Sequence, residues 1–453
     1  MYKLENRDKI MITRKCMDRG DKAMNNEKKT IKIAIMGAGT VGGGVYKVLQ
    51  MRKDDMYQRA GTDIEIKKIL VKSIAETRKD VDAALLTENF EDIINDEEVQ
   101  IVVEVMGGIE PARTFILRCL NAGKSVVTAN KDLIAVHGRE LLDAAEENKV
   151  DFMFEASCAG GIPIIRPLKH CLLGNEVTEI MGIVNGTTNY ILTKMAEEGM
   201  DFAEALEKAT ELGYAEADPT ADVEGLDAGR KMAIMGSIGF HSRITFDDVY
   251  TEGITKISSR DINYAKDMGC VIKLLGIARN TEEGIEVRVH PTLIDKHHPL
   301  ASVGDVFNAV FVHGDAVDDT MFYGRGAGEL PTASAVVGDI IDVARNIKDN
   351  CLARTGCSCY RELPIKGIGD IESKYFVRMI VKDCAGVLGN VASILGNHEV
   401  SIEQIIQRAA EGDTAEIVAI TDVVLEKKFR AAIDTLNDMD FVQEVSSIIR
   451  AYA

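Results

Sequence analysis

The 453-residue chain carries 53 Lys and Arg against 72 Asp and Glu, a formal charge of -19 that repels phosphate backbones and anionic lipid and argues against nucleic acid or a membrane surface as partner. Hydrophobic residues at 46% and charged residues at 28% are ordinary for a soluble globular protein; no apolar run reaches bilayer length, and the chain is long enough for two or three domains. The nine cysteines are scattered without a framework or paired CxxC spacing, so they read as reduced thiols of a cytoplasmic protein.

Residues 1–30 mix Lys, Asp, Glu and Asn without an apolar core and read as a disordered extension, not a secretory signal. From Ile31 a strand is predicted, because Ile31, Ile33 and Ile35 alternate and lead directly into Gly37-Ala-Gly39-Thr40-Val41-Gly42. Val41, Val45, Val48 and Leu49 then recur at helical spacing. Strand, glycine turn and helix in this order make a dinucleotide-binding unit: Gly37 permits the tight turn, Gly39 lets a pyrophosphate approach the backbone, and Gly42 lets the helix pack closely. A glycine turn of purely structural use is the competing reading.

A second strand over 64–71 ends at Lys72, where NAD-selective sites place a carboxylate. Lys72, helped by Arg78 or Lys79, suits the 2′-phosphate of NADP, or the three form a solvated basic turn, so the choice between NADP and NAD stays open. A third strand over 100–106 runs into Gly107-Gly108, and a helix opened by Pro111 is closed by Gly123. The next strand, 125–128, brings Thr128, Asn130 and Lys131 to the edge where cofactors sit in doubly wound sheets; a surface charge is the plain alternative for Lys131.

From residue 150 the pattern changes, and a strand around 152–154 enters the small-residue loop Glu155-Ala-Ser-Cys158-Ala-Gly160-Gly161-Ile162-Pro163, which can present carbonyls. A strand over 177–184, helices over 188–199 and 202–212, an acidic loop from Gly213 to Pro219 and a helix within 220–240 follow. Asp227 and Lys231 are four apart and share one helix face. An exposed ion pair is the plain reading; Glu216, Asp218 and Asp222 just upstream turn it into carboxylates gathered around one lysine, suited to holding an ammonium group and tuning a proton donor.

A glycine loop from Gly324 through Gly328 opens a further helix at Pro331 and is placed to close on a cofactor. Residues 347–373, with Cys351, Cys357 and Cys359, read as a linker. Strand, helix, two strands, helix and strand over 374–453 make a βαββαβ module of ferredoxin-like order. The expected architecture is α/β: a Rossmann-type doubly wound sheet over 31–150 on which the helix near 331–346 packs back, an α/β catalytic and dimerisation domain over 151–346, and the C-terminal module.

The stretches GAGTVGGGV, TANK, EASCAGGIP, NGTTNYI, GYAEADPTADVEGLDAGRK and GRGAGELPTA stand in the order found in homoserine dehydrogenase, which the chain resembles from Ile31 to about Arg345. The resemblance implies reversible hydride transfer between a nicotinamide and L-aspartate 4-semialdehyde, giving L-homoserine for threonine, methionine and isoleucine biosynthesis. It makes Lys231 the acid/base residue, oriented by Asp227, and gives the substrate to Glu216 and Asp227, with Asp222 beside them. The cofactor falls to Gly37, Gly39, Thr40, Val41, Gly42, Lys72, Thr128, Lys131, Gly213 and Gly328. A monovalent cation, usually sodium, is implied at the Glu155 carboxylate and the carbonyls of Cys158, Gly160 and Ile162. Cys158 replaces the more usual valine, a change to which a backbone ligand is indifferent; a buried carboxylate satisfied by backbone donors is the other reading of Glu155.

The last module resembles an ACT domain, its turn 383–388 matching the ligand loop, which implies feedback by threonine or another downstream amino acid and assembly as a dimer or tetramer. Two further readings stay open: an aldehyde-oxidising enzyme with Cys158 as nucleophile, and a non-catalytic amino-acid sensor.

Overall fold

Ile31, Ile33 and Ile35 form β1 (Ile31–Met36), buried on both faces as a central parallel strand must be. It lies between β2 (Ile64–Leu70) and β4 (Val99–Glu104); β3 (Leu86–Thr87), β5 (Ser125–Thr128) and β6 (Phe152–Met153) complete a parallel sheet in the doubly wound order β3-β2-β1-β4-β5-β6. The helices Ala112–Asn121 and Lys131–Glu147 cover one face. On the other, the helix Thr40–Met51 packs with Glu329–Lys348, far along the chain, whose Ala333, Val336, Ile340 and Val343 share one core with Ile31, Ile33, Ile35 and Val45. Gly44 makes that approach possible, since a Cβ there would stand 2.6 Å from the Glu329 carbonyl oxygen.

The computed structural model describes residues 30–77, 79–409 and 412–452, so the expected N-terminal extension before Thr30 and the basic side chain of Arg78 lie outside the described residues. No helix among the described residues is long and apolar enough to cross a membrane.

The second sheet is mixed. β7 (Val177–Ile183), β9 (Cys270–Thr281), β10 (Gly284–Asp295), β11 (Phe307–Gly314) and β12 (Asp318–Arg325) form its first part, with β8 (Tyr250–Thr251) beside β10. Apart from β7, these strands lie in a region to which the sequence reading assigned no elements. β9 and β10 are a long hairpin paired from Thr281↔Gly284 to Cys270↔Asp295, buried on both faces over most of its length; in β10 Ile285, Val287 and Val289 alternate with Glu286, Arg288 and His290, and the polar side chains are buried as well. The single helix expected within 220–240 is two, Thr220–Val223 and Leu226–Gly239, because Gly225 takes φ 78 between them.

β13 (Glu372–Lys382), β14 (Ile402–Ala409), β15 (Thr414–Thr421), the short β16 (Val424–Leu425) and β17 (Val442–Ala451) follow, and the four long strands run in the order β17-β13-β15-β14. The helices Val387–Asn397 and Glu426–Asn437 close a core around Tyr375, Val391, Ile417 and Phe429. This sheet is continuous with the preceding one: β17 pairs with β10 in parallel at Thr292↔Arg450 and Leu293↔Ala451. Buried ions reinforce the seam, Arg450 reaching Glu426 and Glu252, and Arg378 reaching Asp261 and Glu416. Residues 349–371 have little regular structure but are packed in, with Arg361 N–H on the His241 carbonyl and Ala353 N–H on Asp151.

Candidate functional site

The glycine turn distributes its three demands as its geometry requires. Gly37, at φ 110, sits against the Val105 carbonyl, and a Cβ on Gly42 would lie 1.9 Å from the Gly37 oxygen. Nothing lies within 4 Å of where a Gly39 Cβ would be. That open surface precedes the helix beginning at Thr40 and Val41, whose free N–H groups and dipole favour a phosphate. Gly328 (φ 122) starts the helix Glu329–Lys348, which packs alongside the same turn. Lys72 is exposed just past β2.

Thr128 differs from its expected role. It is fully buried, its hydroxyl donates to Glu104 at 2.6 Å and accepts from Asn130 N–H at 3.0 Å, so the side chain is committed inside the protein. Glu104 also accepts the N–H groups of Met106 and Gly107, and burial pushes its carboxyl up. Asn130 caps the helix Lys131–Glu147, donating to the Gly108 carbonyl while accepting Leu133 N–H, which fixes the helix start where Lys131 projects.

Lys131 reaches across to the helix Leu226–Gly239 and stands 3.3 Å from Asp227 Oδ1. Asp227 Oδ2 accepts Lys231 Nζ at 2.6 Å and Asn185 Nδ2 at 2.9 Å, and Lys231 also donates to the Val184 carbonyl at 2.6 Å. The i,i+4 pair is therefore no exposed surface bridge: both side chains are 11% accessible. Burial opposes a charge on Asp227, but Lys231 and Lys131 outweigh it and hold the carboxyl down at about 2. Burial likewise disfavours the Lys131 ammonium, yet Asp227 and Asp132 prevail and raise its pKa.

Sequence reasoning missed Asn185 as a site residue. Its amide nitrogen bridges Asp222 at 2.7 Å and Asp227, while its carbonyl caps the helix Gly186–Glu198 at Thr188 N–H. An Asn before a helix was the available signal; its second function depends on contacts distant in sequence. Burial pushes the Asp222 carboxyl up, and neighbouring Asp227 adds to the effect.

The acidic ring around Lys231 is smaller than expected. Glu216 is exposed and makes no hydrogen bond or ion pair among the described residues, and exposed Asp218 caps Thr220 N–H. Gly213 (φ 73) begins the loop that carries both outward, so among these carboxylates of the described residues Asp227 pairs with Lys231 and Asp222 joins it through the Asn185 amide.

In the small-residue loop, Glu155 is buried and its carboxylate accepts three backbone N–H groups, from Ile164, Ile165 and Arg166. Gly160 (φ 51) packs where a Cβ would meet the Gly326 carbonyl at 2.2 Å, and Gly161 N–H donates to Arg325, so this loop is clamped to the 324–328 loop. Cys158 and Ile162 are buried beside it. The Cys158 thiol faces the Lys231 carbonyl at 3.8 Å and burial pushes it up to about 12, the opposite of what a thiolate nucleophile needs.

A doubly wound sheet with an open glycine turn, joined through Lys131 to a buried lysine–aspartate pair on the helix Leu226–Gly239, defines a nicotinamide-dependent oxidoreductase. Residues 37–155 match the family "Homoserine dehydrogenase, NAD binding domain" and residues 163–341 match "Homoserine dehydrogenase". The homoserine dehydrogenase of Bacillus subtilis (strain 168) is 45% identical over 425 residues, covering 93% of this chain and 98% of that protein. A crystal structure of a homoserine dehydrogenase from Thiobacillus denitrificans superposes with a TM-score of 0.90 at 40% identity, over 94% of this chain and 98% of that one. A hyperthermophilic archaeal homoserine dehydrogenase in complex with NADPH matches with a TM-score of 0.59 at 26% identity, over 69% of this chain and 97% of that one. The chain belongs to the homoserine dehydrogenase family, enzymes that interconvert L-aspartate 4-semialdehyde and L-homoserine with a nicotinamide cofactor.

Proposed function

We propose that Lys231 is the proton donor of this reaction and Asp227 the group that orients it, and the observation that carries the reading is their buried 2.6 Å pair. A bound nicotinamide supplies the hydride to the aldehyde carbon. Lys231 Nζ gives its proton to the aldehyde oxygen as negative charge develops there, and takes it back in the reverse direction. The bond to the Val184 carbonyl and the bond to Asp227 fix two of the three ammonium hydrogens, leaving one to aim at substrate. Asp227 and Asp222 face the substrate ammonium, and Glu216 swings in with its loop to complete that grip. Lys131, on the cofactor side, approaches the reacting groups from across the cleft.

The cofactor would be held by Gly37, Gly39, Thr40, Val41 and Gly42 at the turn, with Gly213, Gly328, Lys131 and the backbone near Thr128 around the ring end. Exposed Lys72 favours the 2′-phosphate of NADP, in keeping with the NADPH of the archaeal relative. A sodium ion fits the Glu155 loop: the donors, one carboxylate and the carbonyls of Cys158, Gly160 and Ile162, are hard oxygens, and a carboxylate with about four acceptor positions keeps one after its three N–H partners.

The C-terminal βαββαβ module acts in this reading as an ACT-type sensor of threonine at the 383–388 turn, in a homodimer or homotetramer. Steady-state homoserine oxidation with NADP and with NAD, each with and without threonine, tests these points together. NADP is expected to give the higher kcat/KM, and threonine to lower the rate; a Lys72→Glu variant that leaves the nucleotide preference unchanged would remove the role given to Lys72.

A further inference from the structure

Cys357 and Cys359 lie where no step of the reaction uses them. The chain segment that carries them turns inward behind the two helices that bear Lys131 and Lys231. There both thiols line a cavity of about 30 Å³, room for one water-sized molecule, with Ile134 and Leu142 from the first helix, Ile234 and Ser237 from the second, and the cationic Lys169 and Arg243. The Cys359 thiol donates to the Ser237 carbonyl oxygen at 3.6 Å, and Cys357 stands two positions earlier in the chain, lining the same cavity. Lys169 Nζ lies 5.0 Å over the Phe154 ring and 3.5 Å from the Gly356 carbonyl oxygen, held next to the pair.

This arrangement splits the two sulfurs. Cys359 spends its single S–H on the Ser237 carbonyl, which keeps that sulfur protonated, while Cys357 shares the cavity with the side chains of Lys169 and Arg243, whose positive charge favours a thiolate there. Burial pushes Cys119 and Cys158 up to about 12, which leaves them inert.

We propose that Cys357 and Cys359 form a peroxide-reactive dithiol, with Cys357 as the attacking sulfur and Cys359 as the resolving one. The Cys357 thiolate attacks one oxygen of hydrogen peroxide: an S–O bond forms as the O–O bond breaks, leaving a sulfenic acid and a hydroxide that takes up a proton to become water. The Cys359 sulfur then attacks the sulfenic sulfur, its proton leaving with the hydroxyl as a second water as the S–S bond forms. Two thiols lose two electrons and one peroxide becomes two waters.

The test exposes the full-length protein to a small excess of hydrogen peroxide, blocks free thiols with iodoacetamide and maps the peptides by mass spectrometry. The peptide holding Cys357 and Cys359 should lose two hydrogens and resist alkylation until dithiothreitol is added, and should react about tenfold faster than exposed Cys171 and Cys384. In a Cys359→Ser variant, Cys357 should stop at a sulfenic acid that dimedone traps. The proposal is overturned if both thiols of the unmodified sequence remain fully alkylatable while Cys171 or Cys384 oxidises, or if Cys357 pairs with Cys351 instead.

Discussion

Replacing Asp227 with Asn removes the buried carboxylate placed between Lys131 and Lys231. Its depressed pKa gives the size of the effect: a fall from the ordinary 3.8 to about 2 corresponds to about 2 kcal/mol of stabilisation. Since the folded value is the lower one, that stabilisation is complete at pH values above the unfolded pKa and is lost as pH falls through the folded pKa. At neutral pH the Asn variant forfeits it and leaves Lys131 and Lys231 without their shared counter-ion, which adds to the loss. For a cooperative unit of about 200 residues, 2 kcal/mol is about 5 °C in Tm. Thermal unfolding of both proteins across the acid range, with kcat for homoserine oxidation alongside, reads the effect. The variant should melt about 5 °C lower at pH 7, the gap should narrow below about pH 4, and kcat should fall about 100-fold or more as Lys231 loses its orientation. An equal Tm at pH 7, or a gap that stays constant into acid, would refute the electrostatic account of this pair.

The glycine turn separates cofactor binding from folding: Gly39→Ala has nothing within 4 Å to strike and should keep Tm within about 1 °C while weakening nucleotide binding about tenfold or more, whereas Gly42→Ala drives a Cβ to 1.9 Å from the Gly37 oxygen and should lower both, as calorimetry and nucleotide titration will report. Asn185→Ala unties Asp222 from Asp227 and removes a helix cap; it should cost about 1 kcal/mol in stability and lower kcat at least tenfold, and Asn185→Asp, which can still cap but sets a third carboxylate against Asp222 and Asp227, should be no more stable than Asn185→Ala at pH 7, as thermal unfolding will report.

How legible the molecule was in its sequence depended on how local each constraint is. The β1 turn and following helix could be read because glycine spacing and isoleucine alternation act within a dozen residues. The pairing of Asp227 with Lys231 could be read as well, since one helix carries both, but their burial could not: Lys131 and Asn185 arrive from other elements. Glu216 looked equivalent to Asp227 by composition alone, and the turn at Gly213 puts it outside. Thr128 looked like a cofactor contact because it ends a strand at the cleft, whereas its hydroxyl is used up by Glu104 and Asn130.

Long-range assembly was the least visible part. Nothing near Thr292 or Arg450 announces that β10 and β17 pair, so the C-terminal module read as separate when its sheet continues the one before it. Residues 347–373 read as a linker because they lack periodicity, yet the order of their irregular part, 349–371, comes from side chains such as Asp151 and Glu176, both about 200 positions away. In the stretch 270–295 the first strand is a near-continuous apolar run without alternation, whereas the second does alternate, Ile285, Val287 and Val289 with Glu286, Arg288 and His290, a strand signal that was passed over.

Rapid mixing of Lys231→Ala protein with NADPH and L-aspartate 4-semialdehyde measures the proton donor most directly. The account predicts a hydride-transfer rate about 10²–10⁴-fold below the parent with nucleotide affinity unchanged. A rate near that of the parent would contradict it.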